Sequence, residues 1–164
     1  AKVIGIDEAI ILKTVRTLKG LEHRPELVNT VDGVSFYNDS FATGPQSTIA
    51  AINSFTEPET LILGGSDKVL DYQELRSEIE KRENVKNLIL IGEIGAKIGE
   101  GIPGKNIINL GKAAMSEIVK KAYEVTSSGG IVILSPAAAS FDMFKNYKDR
   151  GNQFKESVKS FNGR

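Results

Sequence analysis

The sequence has no cysteine, no net charge and no long apolar run. Without cysteine, the chain can form neither a disulfide bond nor a thiolate zinc site, which fits a reducing compartment without proving one. The balance of 21 basic and 21 acidic residues disfavours binding to nucleic acid or another polyanion. No apolar run approaches the roughly 20 residues that span a bilayer, and no basic-then-apolar leader with a cleavage site is present. We therefore expect a cytoplasmic protein with neither a membrane nor a nucleic-acid partner.

The remaining composition is that of an ordinary globular protein, with 40% hydrophobic and 26% charged residues. A length of 164 residues supports one well-buried core and favours a single domain. Segment 1–18 looks like the later part of a helix, because apolar residues recur there at helical spacing. They are Ile10, Ile11, Val15 and Leu18. Since no initiator Met precedes them and Lys-Gly-Leu (19–21) is a helix stop signal, we expect the chain to start inside a larger protein.

The rest of the chain alternates between strand and helix periodicity. An Asp-Gly pair at 32–33 separates two β-prone segments and predicts a hairpin. Strands are expected at 26–31, 34–38, 60–63, 87–91, 107–110 and 131–134, and helices at about 45–55, 72–82, 94–99, 113–126 and 151–161. The later strands are continuous apolar runs, typical of parallel strands covered on both faces. The sequence thus predicts a three-layer, Rossmann-like α/β domain, with a mostly parallel sheet of about six strands begun by an antiparallel hairpin.

Three predicted strands are followed by loops rich in polar and small residues, at the edge where ligands bind in open α/β sheets. They are Asn-Asp-Ser-Phe-Ala-Thr-Gly-Pro (38–45), Gly-Gly-Ser-Asp-Lys (64–68) and Ser-Pro-Ala-Ala-Ala-Ser-Phe-Asp (135–142). The first loop precedes a helix expected to start at Pro45, whose N-terminus could hold an anion. The structural alternative is that Ser40 and Thr43 are turn and capping residues and that Asp39 is a solvated carboxylate.

The second loop joins a flexible backbone to a cation. Gly64 and Gly65 let the backbone approach a ligand closely, and Lys68 could bring its charge to a carboxylate or phosphate. A plain surface lysine after a glycine turn is the commoner case. In the third loop, the three alanines 137–139 are small enough to suggest close packing against a partner.

Two basic positions lie outside these loops. Arg150 could pair with Asp142 or with a bound anion, and a purely structural ion pair is an equal alternative. His23 and Arg24 lie at the presumed linker, where a lone histidine is more often structural than a ligand or a general base.

One glycine-rich string imitates a nucleotide-binding motif. Residues 99–104 satisfy G-x-G-x-x-G, and 99–105 nearly satisfy the P-loop pattern, but Asn106 replaces the required Ser or Thr. The string also follows a predicted short helix and leads into a strand, the reverse of the required context. It is predicted to be a glycine turn.

Three segments together resemble the ATP-dependent Mur ligases, and within that family the branch that adds D-glutamate. Gly-Leu-Glu-His-Arg (20–24) is similar to the family's hinge between its central ATPase domain and its C-terminal domain. Phe-Tyr-Asn-Asp-Ser (36–40), followed by Ala-Thr (42–43), and the whole of 134–151 are similar to the D-glutamate-adding branch.

The resemblance implies that residues 1–21 are the terminal helix of a central ATPase domain with the hinge, and that residues 22–164 form the C-terminal domain. It implies a reaction of peptidoglycan synthesis, in which ATP phosphorylates the carboxylate of UDP-N-acetylmuramoyl-L-alanine and D-glutamate attacks the acyl phosphate. The P-loop, the nucleotide-sugar site and most Mg²⁺ ligands would then lie outside this chain. We therefore expect a monomer whose isolated C-terminal domain is inactive.

The resemblance also assigns roles to residues around the nucleotide. By position, Arg24 would approach the ATP phosphates, Asp39 the ribose hydroxyls, and His23 would line the nucleotide side. Arg150 matches an arginine that braces the third loop.

The remaining assignments concern D-glutamate. Thr43 and Lys68 would hold its α-carboxylate. Lys68 and Arg24 would be the catalytic residues. The side-chain carboxylate would be surrounded by Ser140, Phe141 and Tyr147. Two carboxylates on one small ligand need a cation and several donors, which suits this set.

Two positions depart from the family pattern. Phe41 stands where many members have a lysine near the reacting phosphate, and Gly44 replaces the usual asparagine. Either a neighbour such as Lys68 compensates, or the phosphate contacts differ in this branch. The alternatives to a ligase domain are a stand-alone amino-acid-binding module without catalysis and an unrelated flavodoxin-like or nucleotide-binding domain.

Overall fold

A computed structural model describes residues 2–17 and 20–163. The N-terminal segment contains a 3₁₀ turn at Lys2–Ile4 and helix α1 at Glu8–Thr17. The expected helix over 1–18 is therefore wrong over residues 2–7, because Gly5 has a φ of 76° and the Asp7 carboxylate accepts the Ala9 N–H at 2.7 Å. Such a carboxylate satisfies a donor that a helix start leaves unpaired. Leu18 and Lys19, part of the expected helix end, lie outside the described residues.

Six strands form one sheet and confirm the predicted fold class. They are β1 (Glu26–Val31), β2 (Val34–Asn38), β3 (Glu59–Gly64), β4 (Val85–Ile91), β5 (Asn106–Gly111) and β6 (Ile131–Leu134). Their order in the sheet is β1-β2-β6-β3-β4-β5. Only β1 and β2 pair antiparallel, and the other four pairings are parallel. The hairpin turns at Asp32 and Gly33 with φ of 48° and 80°, the left-handed pair that a type I′ turn requires.

Helices cover both faces of the sheet. They are α2 (Pro45–Ile52), α3 (Gln73–Lys81), α4 (Gly95–Gly99), α5 (Met115–Val125) and α6 (Tyr147–Ser160). Leu61 and Leu63 of β3 belong to the core under α2 to α4, whereas Ile62 belongs to the core under α5 and α6. This alternation along a fully buried strand explains why the strand is continuously apolar.

Helix α6 starts at residue 147, before the predicted start at 151. The side chain of Asn146 accepts the Asp149 N–H at 3.0 Å and thereby caps the helix there. The earlier start places Tyr147 and Arg150 on the first turn of a helix. The segment after α4 is the predicted glycine turn, with positive φ at Gly101 and Gly104 before β5 begins. No helix within the described ranges is both long and apolar enough to cross a membrane.

Candidate functional site

The second and third loops are joined directly at the carboxyl edge of the sheet. The Ser66 N–H donates to the Ala139 carbonyl at 2.9 Å, and the Phe141 N–H donates to Ser66 Oγ at 3.1 Å. At the last residue of β3, the Gly64 N–H donates to the Pro136 carbonyl at 2.8 Å. The two loops therefore form one rigid rim.

The small residues of this rim serve packing within the chain. A side chain at Gly64 would collide with the Ile91 carbonyl, and one at Gly65 would collide with the Ala139 carbonyl. The three alanines 137–139 are at most 3% exposed, and two of them belong to the core under α2 to α4. The suggestion that their size reflects a partner is wrong, because the chain itself covers them.

Arg150 ties the first loop to the third. Its side chain is fully buried, and its Nε donates to Ser40 Oγ at 2.9 Å. Its terminal nitrogens donate to the carbonyls of Ser40, Ala138 and Ala139. The expected pairing with Asp142 does not form, since the Asp142 carboxylate accepts a backbone N–H of the loop after β4 instead. Burial lowers the pKa of Arg150 to about 10, and the charge of Asp142 opposes that shift.

His23 is buried behind the first loop. Its Nδ1 lies 2.8 Å from Asn38 Nδ2, and its backbone N–H donates to Glu26 Oε2 at 3.1 Å. Its carbonyl accepts the Phe41 N–H at 3.1 Å. Burial holds the pKa of His23 below its usual value, which disfavours a role as a charged group.

Arg24, Asp39 and Phe41 line one cleft of ≈ 310 Å³, whose other wall includes small side chains of α2. The Arg24 guanidinium carbon lies 4.4 Å above the centre of the Phe41 ring, within cation–π range. Asp39 is 5% exposed, and its Oδ2 accepts the Ser135 hydroxyl at 2.7 Å. Burial raises the pKa of Asp39 to about 6, while the Ser135 hydrogen bond and the Arg24 charge oppose the rise.

Tyr147 connects this cleft to the buried histidine. Its ring meets Phe41 edge-on at 5.0 Å between centroids and meets His23 edge-on at 6.0 Å. Its carbonyl accepts the Ser40 hydroxyl at 2.8 Å. Phe41 is thus held between a cation on its face and a tyrosine ring.

The residues assigned to D-glutamate are not bonded to one another. Lys68 is exposed and precedes Val69, a β-branched residue with a φ of 55°. Ser140 is 2% exposed, whereas Phe141 is 73% exposed. Within the described ranges, the side chains of Lys68, Thr43 and Ser140 form no hydrogen bond or ion pair. Among the described residues, these side chains therefore have no hydrogen-bond partner to lose on binding a ligand.

Sequence reasoning missed Asn38 and Ser135 as site residues. Asn38 is fully buried and its Oδ1 accepts the Ser40 N–H at 3.1 Å, while Ser135 bonds Asp39. Both stand where a continuous buried strand ends, Asn38 as the last residue of β2 and Ser135 just after β6. A polar residue closing an apolar strand is the signal that identifies them.

Mg²⁺ does not fit the acidic cluster at the start of the domain. Ligand atoms of Glu22, His23 and Glu26 lie within 4.8 Å of one another. The Lys155 ammonium already bridges the two glutamates, at 2.5 Å and 3.6 Å. Mg²⁺ prefers an octahedron of oxygen ligands, which this cluster with its lysine does not offer.

Similarity to known proteins gives evidence on the family that is independent of the geometry of the site. The pattern described as "Mur ligase, glutamate ligase domain" matches residues 23–138. A UDP-N-acetylmuramoylalanine--D-glutamate ligase of Acetivibrio thermocellus is 46% identical, over 94% of this chain and 34% of that protein. The protein of the same name in Clostridioides difficile is 43% identical, over 96% of this chain and 35% of that protein. The chain spans about a third of the length of these relatives.

Solved structures agree in fold. The MurF ligase of Thermotoga maritima in complex with ADP has a TM-score of 0.55 at 15% identity, over 92% of this chain and 36% of that one. A pseudomurein peptide ligase type C of Methanothermus fervidus has a TM-score of 0.58 at 14% identity, over 96% of this chain and 32% of that one. At such low identity, the likeness concerns the fold alone.

Proposed function

This chain belongs to the Mur ligase family, and from that premise we propose that it is the C-terminal domain of a cytoplasmic, ATP-dependent ligase that adds D-glutamate to UDP-N-acetylmuramoyl-L-alanine. The observation that carries the proposal is the 46% identity, along 94% of the chain, to a ligase named for that reaction. Family membership also excludes the alternative of an unrelated flavodoxin-like domain.

We assign the cleft beside Arg24 to ATP. The Arg24 guanidinium, held over Phe41 and exposed to solvent, is suited to a phosphate, because guanidinium and phosphate oxygens form strong paired hydrogen bonds. Asp39 has one oxygen bonded to Ser135 and leaves the other for a ribose hydroxyl. His23, expected on the nucleotide side, is buried behind these residues and would act there by holding Arg24 and Phe41 in place.

We assign the joined second and third loops to D-glutamate. Lys68 would meet the α-carboxylate together with Thr43, and Ser140, Phe141 and Tyr147 would enclose the other carboxylate. The joined loops support this, because their hydrogen bonds fix the backbone that carries Ser140 and Phe141 before the ligand arrives. Arg150 contributes by holding the first and third loops in register.

In this proposal the domain binds and orients, while the reacting carboxylate is activated elsewhere. Closure would bring the D-glutamate amine to within about 3 Å of the acyl carbon and exclude water from the acyl phosphate. Mg²⁺, which neutralises phosphate charge in such reactions, would be held mainly by residues outside this chain.

The N-terminal helix is consistent with a preceding domain. Ile10, Leu12 and Val15 of α1 are 59%, 50% and 58% exposed. Burying such side chains stabilises by about 1.5–3 kcal/mol each. We propose that α1 packs against the central ATPase domain, that residues up to 21 form the hinge, and that residues 22–164 form the C-terminal domain.

The reaction type is tested by phosphate release from the whole ligase. Release should require ATP, UDP-N-acetylmuramoyl-L-alanine and D-glutamate together, and omission of any one should abolish it. Release without the nucleotide sugar would contradict the proposal. Absence of a Gly-Lys-Ser/Thr loop upstream of Ala1 in the reading frame would instead favour the stand-alone binding module.

A further inference from the structure

His23 adopts a backbone conformation that is uncommon for a residue with a side chain. Its φ of 62° lies in the left-handed region, which is uncommon outside glycine and costs on the order of 1 kcal/mol. The backbone is tied on both sides, by the N–H to Glu26 Oε2 at 3.1 Å and by the carbonyl to the Phe41 N–H at 3.1 Å. The third tie is from the ring to Asn38. A strained residue held by several independent bonds is a feature of functional sites.

The Asn38 amide can point in only one direction. Asn38 is fully buried, and one end of its amide accepts the Ser40 N–H at 3.1 Å, so that end is the oxygen. The NH₂ end therefore faces His23 Nδ1 at 2.8 Å and Glu26 Oε2 at 3.3 Å. Because an amide NH₂ only donates, Nδ1 must accept, and the ring proton lies on Nε2.

The imidazole ring packs closely against helix α6, beside its hydrogen bond to Asn38. A side chain at Gly151, on the second turn of α6, would collide with His23 Nδ1. The edge of Tyr147 closes another side of the ring. Sterics and hydrogen bonding therefore select the same ring position.

The position of His23 determines where Arg24 and Phe41 stand. Arg24 is the next residue in the chain, and the Phe41 backbone is bonded to the His23 carbonyl. The Arg24 guanidinium then lies over the Phe41 ring at the mouth of the cleft. We propose that Asn38 is a positioning residue that holds His23 as a neutral Nε2–H imidazole in the left-handed conformation, and thereby sets Arg24 over Phe41.

The charges that face the ring come from the linker, β1 and α6. Glu22 Oε1 lies 3.9 Å from Nε2, and Glu26 of β1 bonds the backbone. These two glutamates raise the pKa of His23, whereas Lys155 and Lys148 of α6 lower it. Burial has the largest effect on the pKa of His23 and lowers it, in the same direction as the two lysines.

The test is an NMR measurement on the chain, whose only histidine gives unambiguous imidazole signals. The ¹⁵N shifts at neutral pH should show an unprotonated Nδ1 and a protonated Nε2. Asn38→Asp places an acceptor against Nδ1, so the ring proton should move to Nδ1 and the pKa of His23 should rise. The new carboxylate also faces Glu26 Oε2, which lies 3.3 Å from the amide nitrogen that it replaces and which accepts the His23 N–H. Repulsion there should shift the His23 backbone, so the Arg24 side-chain protons, shifted upfield by the Phe41 ring, should move toward ordinary values. Asn29→Asp, which adds the same charge at an exposed position of β1, should change neither.

Either of two results would overturn the proposal. One is a wild-type His23 with a protonated Nδ1 at neutral pH. The other is an Asn38→Asp chain in which the tautomer changes but the Arg24 signals stay in place. Should Asn38→Asp fail to fold, Gly151→Ala displaces the ring sterically and should move the same Arg24 signals; unmoved signals would count against the proposal. These measurements need no ligase activity, so their outcome does not depend on the proposed function. Only the relevance of Arg24 to ATP rests on that function.

Discussion

At the residue scale, Lys68 is the side chain whose proposed role in ligand binding is most clearly separate from the stability of the fold. It is exposed, and its ammonium forms no hydrogen bond or ion pair within the described ranges, although its neighbour Asp67 pairs with Lys97 at 3.5 Å. The Lys68 ammonium, in the loop after β3, is therefore available to a ligand carboxylate. Its removal should weaken ligand binding without destabilising the fold.

We expect Lys68→Ala in the whole ligase to raise the KM for D-glutamate by about 10- to 100-fold, the equivalent of one charge-assisted hydrogen bond. The KM for ATP should change far less. Steady-state kinetics with each substrate varied in turn measures both values. Lys86→Ala, at an exposed position of β4, is the matched control. Equal effects on both substrates would contradict the assignment to the amino acid.

Glu59 is the second informative residue, because its carboxyl group is fully buried and its Oε1 has no hydrogen-bond partner in the described structure. Burial raises the pKa of Glu59 from 4.5 to about 8, with Arg82 opposing the rise. Between these pH values the folded chain binds a proton that the unfolded chain has lost. Stability therefore falls as pH rises from about 4.5 to about 8.

Glu59→Gln should remove this loss. Its free energy of unfolding should match the wild type near pH 5 and exceed it above pH 8, by on the order of 3 kcal/mol. Urea denaturation at several pH values measures the difference. Glu100→Gln removes the same charge from an exposed position that does not act on Glu59, and should leave the pH dependence intact. A wild-type stability that does not fall over this range would contradict the buried, protonated state.

At the scale of elements, the site depends on how helix α6 meets the loops at the sheet edge. Arg150 reaches from the first turn of α6 to Ser40 and to the carbonyls of the third loop. One fully buried side chain thus satisfies backbone acceptors of two loops that are far apart in sequence. Losing it would leave those buried carbonyls without donors.

Arg150→Met is expected to lower the free energy of unfolding by about 3 kcal/mol, since buried acceptors lose their partners and the apolar replacement cannot restore them. Arg76 provides the control, because it also donates to backbone carbonyls, at Ile98 and Lys97, but at the partly exposed surface. Arg76→Met should cost less than 1 kcal/mol by the usual range for exposed contacts. Equal losses in urea denaturation would show that Arg150 is not a special brace.

The elements that local sequence determines were predictable. The Asp-Gly turn predicted the β1–β2 hairpin, and the continuous apolar runs predicted the parallel strands. The start of α6 was misplaced because its cap, Asn146, is polar and gives no apolar periodicity. Of the alternatives open for Arg150, the pair with Asp142 does not form, and its acceptors, at 40 and 138–139, are brought to it only by the tertiary fold.

The same distinction applies within the site. The three loops were predictable from strand ends, whereas the bond from Ser135 to Asp39 joins residues 96 positions apart. No local pattern reports such a contact. The role of Asn38 likewise depends on His23, which packs against it from before the hairpin.

At the scale of the whole molecule, the chain matches about a third of the length of its relatives. If the ATPase machinery lies in the remainder, the isolated chain should release no phosphate from ATP, with or without D-glutamate and the nucleotide sugar. A coupled phosphate assay at high protein concentration measures this, with the whole ligase as the positive control. Turnover by the purified chain would contradict the division of labour proposed here.

The central claim is that this domain presents D-glutamate to an activated partner. The measurement that tests it most directly is the amino-acid specificity of the whole ligase, as kcat/KM for D-glutamate, L-glutamate, D-aspartate and a diamino acid. We expect efficient ligation of D-glutamate and little of the others, because the second carboxylate and the amine must both fit between Lys68 and the third loop. Preference for a diamino acid or for L-glutamate would contradict it.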